Sequence, residues 1–543
     1  MTALEIAMSE NPGRRSGAQT IYPLFTSSIL LLAFLLRLWK ASGTFLNLDE
    51  AMHFLAANKP SLSEAYQASL GLAHPPLLIL LLNVWRKLGT SELVLRLPSV
   101  FAGTIFCWIF LKWLTRVLGP VCGCVGLILV AFLPPFVELS SEIRQYALLL
   151  CFTMVATYIL ELALDETSTG NMVLFFVLLY LSMLTHFSAL LFAGAAAAYS
   201  AWRLTGLRAG HHLIGTWIAG QVGCVGLFTY LYLTHITKLK NSPAAKHMGV
   251  LLGNSYFHPA RDHVVPFAFA RTFGVFQYIF GQLAIGDIAA IMFLGGIGLL
   301  LRGKGTERLK IEDDGIHFSR QLAVFLILPF VITCVAAIAD LYPYGGTRHS
   351  AFMMPFAVTG ISLAIARLTR QRLVTAVGAS IFIVVVCQIF GTPHRPYMHR
   401  ADQRRPNMTQ AIDAIRRQVS PGGTIFVDFQ TNFLLRFYLC PDAGPGVFST
   451  AGFREYSCDS YRVISTSSDT SVLTADIFAQ QWVAMQAVSN LKPGDPIWIF
   501  QAGWDTTLAR DLPKTVPQFN DLNPQSFGLN ISLFKLIAKV SGS

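Results

Sequence analysis

The stretch Leu46-Asn47-Leu48-Asp49-Glu50-Ala51-Met52-His53 places two adjacent carboxylates soon after the first long apolar run, residues 21–39. A carboxylate that faces lipid at the mouth of a membrane helix is costly, so this pair is expected to face a wet, protein-lined cavity. An ordinary helix start is the alternative, with Asn47 or Asp49 as the cap and Glu50 in the first turn.

The composition indicates which solvent surrounds the chain. Hydrophobic residues make up 53% of the 543 residues, charged residues make up 13%, and the mean hydropathy is +0.52. These values are far too apolar for a soluble chain of this length, so they predict a multi-pass α-helical membrane protein. The net charge of +11 does not indicate a nucleic-acid partner, because the basic residues lie in short segments between apolar runs.

About eleven apolar runs are long enough, or nearly long enough, to cross a bilayer. They cover residues 21–39, 93–114, 121–137, 146–164, 172–184, 187–202, 213–233, 283–301, 322–339, 351–366 and 374–390. Basic residues occur mostly in every second loop, which predicts a cytoplasmic N-terminus. An odd number of spans then places the segment that follows the last run outside the cytoplasm.

The sequence divides into a transmembrane domain, residues 1–390, and a small extracytoplasmic α/β domain, residues 391–543. The second part regains polar residues and contains short strand-like runs. The strand-like runs are 424–427, 496–500 and 530–534, and helix-like stretches cover 432–439 and 477–487. Cys440 and Cys458 are the only cysteines of this part, and a disulfide between them would contribute about 3 kcal/mol. Their spacing alone does not establish the bond.

Polar residues at the ends of the apolar runs supply the remaining site candidates. The topology puts all of them on one side of the membrane, which favours a single extracytoplasmic cavity. They are His74 in the HPPL segment, Arg144 and Tyr146 after the third run, His186 in a short hairpin, and Tyr344 and Arg348 before the tenth run. Structural roles remain open for several of them, including a membrane-interface position for Arg348 and an ion pair between Arg144 and Glu138.

These segments together resemble the GT-C superfamily of polyprenyl-phosphate-dependent glycosyltransferases. The segments are DEA at 49–51, HPPL at 74–77, SEIRQYALLL at 141–150, LTHFSALLF at 184–192 and RHSAFMMPF at 348–356. They are most similar to bacterial relatives of the protein O-mannosyltransferases and of the lipid A aminoarabinose transferases. In the aminoarabinose branch a lysine resembles the residue that is His74 here, which leaves the sugar open.

The resemblance implies a GT-C-like fold in the bacterial inner (plasma) membrane and an inverting transfer from a polyprenyl-phosphate-linked sugar to an acceptor hydroxyl. Such a reaction needs a base for the hydroxyl proton and cations for the departing phosphate. Asp49 is the predicted base, and Glu50 is predicted to position the acceptor or the sugar. Arg144 and Arg348 are the predicted phosphate ligands, because a guanidinium matches phosphate oxygens bidentately.

Five side chains are given lesser roles. His74 and Tyr146 are grouped with the phosphate ligands, while His53, His186 and Tyr344 are accessory candidates. The acceptor, whether protein, membrane lipid or glycan, has no readable motif.

A different class of protein could also account for these residues. A transporter or flippase for a lipid-linked or sugar substrate would also place charges in a cavity, although internal repeats and charges within spans would be expected of it.

No obligatory cofactor or metal is predicted. Asp49, Glu50, His53 and His74 could nevertheless supply oxygen and nitrogen ligands to a divalent cation.

Overall fold

The protein is described by a computed structural model that covers residues 12–207, 210–240, 252–303, 314–391, 403–444, 446–449, 452–467, 473–488, 494–503, 506–515 and 523–537. Its N-terminal part is a bundle of helices that share one hydrophobic core. The helices of this part, in chain order, are α1 Pro12–Gly43, α2 Leu48–Ala57, α3 Leu62–Ser69, α4 Leu77–Trp85, α5 Glu92–Leu118, α6 Pro120–Phe132, α7 Pro134–Leu139, α8 Tyr146–Asp165, α9 Thr169–Met183, α10 Ala189–Gly206, α11 His211–Leu231, α12 Thr237–Lys240, α13 Val264–Phe280, α14 Leu283–Leu301, α15 Asp314–Ile338, α16 Met354–Leu368 and α17 Leu373–Phe390.

The helices confirm a multi-pass membrane fold. Each of the eleven predicted apolar runs overlaps a helix, and in the described ranges eight helices are long and apolar enough to cross a membrane. These eight are Tyr22–Gly43, Glu92–Leu118, Tyr146–Asp165, His211–Leu239, Leu283–Leu301, His317–Ile338, Arg348–Leu368 and Leu373–Phe390. Three shorter apolar helices are α6, α9 and α13. The predicted count of eleven therefore exceeds the number of helices with full spanning length.

Two details of the bundle differ from the prediction. The run 121–137 is two helices, because Pro134 and Pro135 follow Leu133, whose backbone is extended at ψ 134°, as is usual for a residue before proline. The segment Val264–Phe280, which lies between the predicted runs 213–233 and 283–301, forms α13. A turn at Gly281, whose φ of 67° favours glycine, joins α13 to α14.

Charged side chains join three long helices at one end of the bundle. Arg116 of α5 pairs with Asp165 of α8 at 2.8 Å, and Arg203 of α10 pairs with Asp165 at 3.0 Å and with Glu161 at 3.1 Å. Asp49 and its neighbours lie at the other end, where α5 and α8 begin and α10 follows the His186 hairpin. Arg116 and Arg203, which follow predicted runs, are thus separated from the site candidates by the length of the bundle.

The C-terminal part is a small α/β domain. Its helices are α18 Arg405–Gln418, α19 Phe429–Leu439, α20 Ala475–Val488 and α21 Leu508–Thr515, and its strands are β1 Thr424–Val427, β2 Val447–Phe448, β3 Arg454–Cys458, β4 Tyr461–Ser465, β5 Pro496–Ala502, β6 Gln525–Ser526 and β7 Ile531–Ile537. The sheet has the order β2-β3-β4-β1-β5-β7-β6, and β1 pairs in parallel with both β4 and β5. The Cys440–Cys458 disulfide is formed.

The sequence identified β1, β5, β7, α19 and α20 to within a few residues. It missed the hairpin of β3 and β4, whose mixed polar and apolar residues lack a clear alternating pattern. The hairpin turns at Asp459, which adopts a φ of 51°, a conformation that Asp tolerates better than most residues. In the described ranges the domain therefore has four strands beyond the three expected from its apolar runs, namely β2, β3, β4 and β6.

Candidate functional site

Helix α2 separates the two adjacent carboxylates into different environments. Asn47 caps the helix: its Oδ1 accepts the Glu50 N–H at 3.0 Å, and Glu50 Oε2 accepts the Asn47 N–H at 2.9 Å. Neighbouring residues on a helix point about 100° apart. Glu50 consequently turns into the protein, whereas the side chain of Asp49 keeps 17% of its surface exposed. The helix start that was the alternative interpretation is thus formed, with Asn47 as the cap and Glu50 in the first turn.

The surroundings of Glu50 correct its predicted role. Arg96 donates to both carboxylate oxygens at 2.7 Å, and the Ile143 N–H donates to Oε1 at 2.9 Å. Both side chains of this pair are only 1% exposed. A carboxylate that is buried and fully bonded in this way holds chain segments together, so Glu50 is not arranged to position an acceptor or a sugar.

Asp49 lies between the two arginines that were predicted to bind phosphate. Its Oδ2 is 2.9 Å from Arg144 Nη1 and 2.8 Å from Arg348 Nη1. Arg144 comes from the segment before α8 and is buried, whereas Arg348, just before α16, is 30% exposed. The ring of Tyr146 lies against both guanidinium groups, at 5.6 and 6.0 Å. The predicted alternative pair of Arg144 with Glu138 is not formed, since Glu138 is instead 3.3 Å from Lys40.

Four histidine rings extend this cluster into the protein. His53 and His74 stack with ring centroids 5.9 Å apart, His74 and His186 at 5.3 Å, and His186 lies 6.1 Å from His349. Tyr146 joins the array at 5.2 Å from His186. The HPPL loop and the hairpin are also tied by their backbones, because the Leu77 N–H donates to the Leu184 carbonyl at 3.0 Å. The structure therefore brings His53, His74 and His186 together in one cluster with Tyr146.

The hydrogen bonds of two histidines define which ring nitrogen carries the proton. His53 Nδ1 lies 2.5 Å from the Asp49 carbonyl, which can only accept, so this nitrogen is the donor. His186 Nδ1 accepts the Ser188 N–H at 3.1 Å, so a neutral His186 ring is protonated at Nε2. Within the described chain, His53 Nε2 is buried and makes no hydrogen bond. In the neutral ring His53 Nε2 is therefore a hydrogen-bond acceptor.

Charge and burial set the protonation states of the cluster. Burial alone would raise the pKa of Asp49, but the guanidinium groups of Arg144 and Arg348 outweigh it and hold the pKa of that carboxyl well below its usual range. Burial, reinforced by the charge of Arg144, lowers the pKa of His53 to about 4 and the pKa of His186 to about 3. The same causes hold the pKa of His74 well below its usual value. At neutral pH the site contains one carboxylate, two guanidinium groups and uncharged imidazoles.

Two aromatic assignments change. Tyr344 is buried but bonds through its hydroxyl to Thr272 Oγ1 at 2.6 Å, and the structure does not bring it to the cluster. Tyr342, two residues earlier, faces His349 edge-on with centroids 6.4 Å apart. Sequence reasoning missed Tyr342 and His349. The only signal was that His349 adjoins Arg348 in a polar segment at the start of an apolar run.

The four side chains considered as ligands for a divalent cation do not converge on one point. Glu50 is bonded to Arg96, Asp49 Oδ2 is shared by two arginines, and His53 Nδ1 donates to a carbonyl. Throughout the ranges that the structure describes, no group of three or more His, Cys, Asp or Glu side chains is placed to hold a metal ion.

Comparison with known proteins agrees with this architecture. The family model of dolichyl-phosphate-mannose-protein mannosyltransferases matches residues 73–232. Among solved structures, ArnT from Cupriavidus metallidurans bound to undecaprenyl phosphate aligns over 96% of this chain and 99% of its own, with a TM-score of 0.53 and 10% identity. The same protein in the apo state aligns over 95% and 98%, with a TM-score of 0.55 and 11% identity. No curated protein sequence matches the chain.

The family match covers the HPPL loop, the segment of Arg144 and the hairpin of His186, and at this identity the likeness to ArnT concerns the fold. The chain is therefore similar to the mannosyltransferase family over residues 73–232 and to ArnT in its fold.

Proposed function

We propose that this chain transfers a sugar from a polyprenyl-phosphate donor to an acceptor hydroxyl on the extracytoplasmic side of the membrane, with inversion at the anomeric carbon. The observation that supports the proposal is the bridge in which one oxygen of Asp49 contacts Arg144 at 2.9 Å and Arg348 at 2.8 Å. Two guanidinium groups that converge on one anionic oxygen form a site that suits a phosphate as well as a carboxylate.

The chemical step then divides between the base and the two cations. The acceptor oxygen attacks the anomeric carbon, its proton passes to Asp49, and the bond from that carbon to the phosphate oxygen breaks. The electron pair leaves with polyprenyl phosphate, whose charge Arg144 and Arg348 stabilise. Arg348 and Asp49 are partly exposed, whereas Arg144 is buried, so the donor and the acceptor approach from the side of Arg348 and Asp49.

The depressed pKa of Asp49 adds a condition to this mechanism. A carboxylate held by two arginines is a weak base, because protonation would cost both ion pairs. When a donor phosphate shares Arg144 and Arg348, their attraction is divided and the basicity of Asp49 rises. The base is thus activated in the donor complex, where it is needed.

The GT-C fold and the family match favour transfer over the transporter alternative. ArnT, which has a similar fold, was solved with undecaprenyl phosphate bound, and this supports a polyprenyl phosphate as the leaving group here. The uncharged histidine array, with His74 at its centre, favours a neutral sugar over one with an anionic group, since it adds no positive charge beyond the two arginines.

A complementation experiment tests the proposed function. Mass spectrometry of surface glycans and lipids in a deletion strain should reveal a product that lacks one sugar. The wild-type gene should restore that sugar, and an Asp49→Asn gene expressed at the same level should not. A complete product in the deletion strain, or restoration by the Asp49→Asn gene, would count against the proposal.

A further inference from the structure

Helix α2 is held from two sides, and one side belongs to the C-terminal domain. Toward the bundle, Glu50 is bonded to Arg96. Toward the domain, Ala51 and the preceding Phe45 are buried in a hydrophobic cluster otherwise formed by residues of the C-terminal part. The backbone contributes as well, since the Phe45 N–H donates to the Gln403 carbonyl at 2.9 Å. The helix that carries Asp49 therefore shares its core with another domain.

Tyr438, on α19, makes the polar contact nearest to the start of α2. The Leu46 N–H donates to Tyr438 Oη at 2.8 Å, and the Tyr438 hydroxyl donates to Glu92 Oε1 at 3.2 Å. Leu46 immediately precedes the capping residue Asn47 and lies three residues before Asp49. The hydroxyl thus connects the entry to α2 with the first turn of α5, in which Glu92 is buried.

The far end of α2 is fixed by the turn that follows α19. Phe437 packs edge-on against Phe54 with centroids 4.9 Å apart. Asn58, the C-cap of α2, donates through Nδ2 to the Pro441 carbonyl and to Asp442 Oδ1, both at 3.1 Å. The disulfide residue Cys440 directly precedes that turn. Both ends of a ten-residue helix are consequently attached to one element of the C-terminal domain.

We infer that the C-terminal domain positions the catalytic carboxylate, and that Tyr438 is the positioning residue that acts on Asp49. A ten-residue helix is marginal without packing partners, so the direction in which α2 points is set by the surfaces that hold it. A displacement of about 1 Å at a reacting group can lower a rate about 100-fold. The inference rests on the proposed function, because it assigns a position to the base of that reaction.

The variant Tyr438→Phe in the full-length protein tests this role. The substitution removes the hydroxyl that accepts the Leu46 N–H and leaves Arg144 and Arg348 unchanged. We expect kcat to fall about tenfold, because a small displacement of a reacting group lowers the rate, while the KM for the donor and the binding of polyprenyl phosphate stay unchanged. Tyr456→Phe is the matched control, because the Tyr456 hydroxyl donates to Asn432 Oδ1 at 2.7 Å entirely within the C-terminal domain. The control should keep the wild-type kcat.

A double-mutant cycle separates positioning from general destabilisation. If Tyr438 acts through Asp49, Tyr438→Phe should cause no further loss of the residual rate when Asp49 is already Asn. Equal effects of Tyr438→Phe and Tyr456→Phe on kcat, or a tenfold loss that persists in the Asp49→Asn background, would overturn the positioning role and leave the proposed function intact. Near-normal turnover by Asp49→Asn alone would overturn the role of Asp49 as the base, and the positioning role with it. Absence of sugar transfer by the wild-type protein would overturn the proposed function.

Discussion

At the scale of single residues, the site depends on how one carboxylate and two guanidinium groups share charge. Asp49 lies between Arg144 and Arg348, so its carboxylate balances one of the two positive charges. The contrast with Glu50 shows why neighbouring residues of the same chemistry differ in role. Glu50 is buried with Arg96, whereas Asp49 remains partly accessible.

Phosphate binding by Arg144 and Arg348 is expected to need the planar guanidinium group of arginine. Arg144→Lys and Arg348→Lys keep the charge but lose the bidentate geometry, so the affinity for a polyprenyl phosphate should fall about tenfold, which corresponds to about 1.4 kcal/mol. Arg116→Lys is the matched control, because Arg116 is 29% exposed, close to the 30% of Arg348, and pairs with a carboxylate at the other end of the bundle. Unchanged affinity in both site variants would make these arginines structural.

The histidine array is expected to remain uncharged over the physiological range. The pKa of His53 is lowered to about 4 and that of His186 to about 3, whereas the unfolded chain binds these protons near pH 6.5. Between about pH 4 and 6.5 the unfolded state therefore binds more protons, and each histidine lowers the free energy of unfolding by about 1.4 kcal/mol per pH unit of acidification. The melting temperature should therefore fall between pH 7 and pH 5, and this fall should be smaller in the His53→Gln variant. A melting temperature that is constant from pH 7 to 5 would contradict these assignments.

At the scale of elements, α2 joins the site to the remainder of the molecule. Its capping box turns Glu50 inward, Arg96 of α5 neutralises that carboxylate, and α19 covers its opposite side. The element that the sequence marked as the likeliest place for chemistry is thus also a structural junction between two domains. Substitutions in α2 will report on stability or on catalysis according to the direction in which each side chain points.

Glu50→Gln is expected to act on stability. Removing one partner of a buried ion pair typically costs 3 to 5 kcal/mol, with about 3 kcal/mol expected here because Gln keeps an acceptor. The melting temperature should fall, while the folded fraction should keep near-normal turnover. Combining Glu50→Gln with Arg96→Met should cost less than the sum of the two single changes, since the unpaired charge is gone. A stable but inactive Glu50→Gln protein would restore the catalytic role predicted from the sequence.

Elements and site were predictable to different degrees. The apolar runs located the long helices because bilayer-length hydrophobicity is a strong signal, and the polar ends of those runs located Asp49, Arg144 and Arg348. Sequence could not tell which of Tyr342 and Tyr344 faces the site, because that depends on the path of an irregular loop. It could not predict that Glu50 is buried either, since Arg96, the partner of Glu50, is 46 residues away.

At the scale of the whole molecule, the C-terminal domain and the Asp49 cluster lie at the same end of the helix bundle. The contacts of α19 with α2 establish this directly. The ion pairs of Asp165 with Arg116 and Arg203 lie at the other end of the bundle. Whichever side of the membrane holds the C-terminal domain therefore also holds the site.

This arrangement makes topology a test of the site's location. With a cytoplasmic N-terminus, as the basic loops predict, a reporter active only in the cytoplasm should be silent when it is fused after Ser543. The same reporter fused after Leu207, which follows α10 at the other end of the bundle, should be active. A strong signal from the Ser543 fusion would move both the C-terminal domain and the Asp49 cluster to the cytoplasmic side.

The most direct test of the central claim separates donor binding from transfer in Asp49→Asn. Purified wild-type and Asp49→Asn proteins are compared for binding of polyprenyl phosphate and for sugar transfer in a single turnover with saturating donor. Asn keeps the size of Asp49 but releases the two arginines and cannot take the acceptor proton. Binding should be retained or become tighter, whereas transfer should fall about 10²- to 10⁴-fold. Transfer at a near-normal rate by a protein that binds the donor normally would show that Asp49 is not the base.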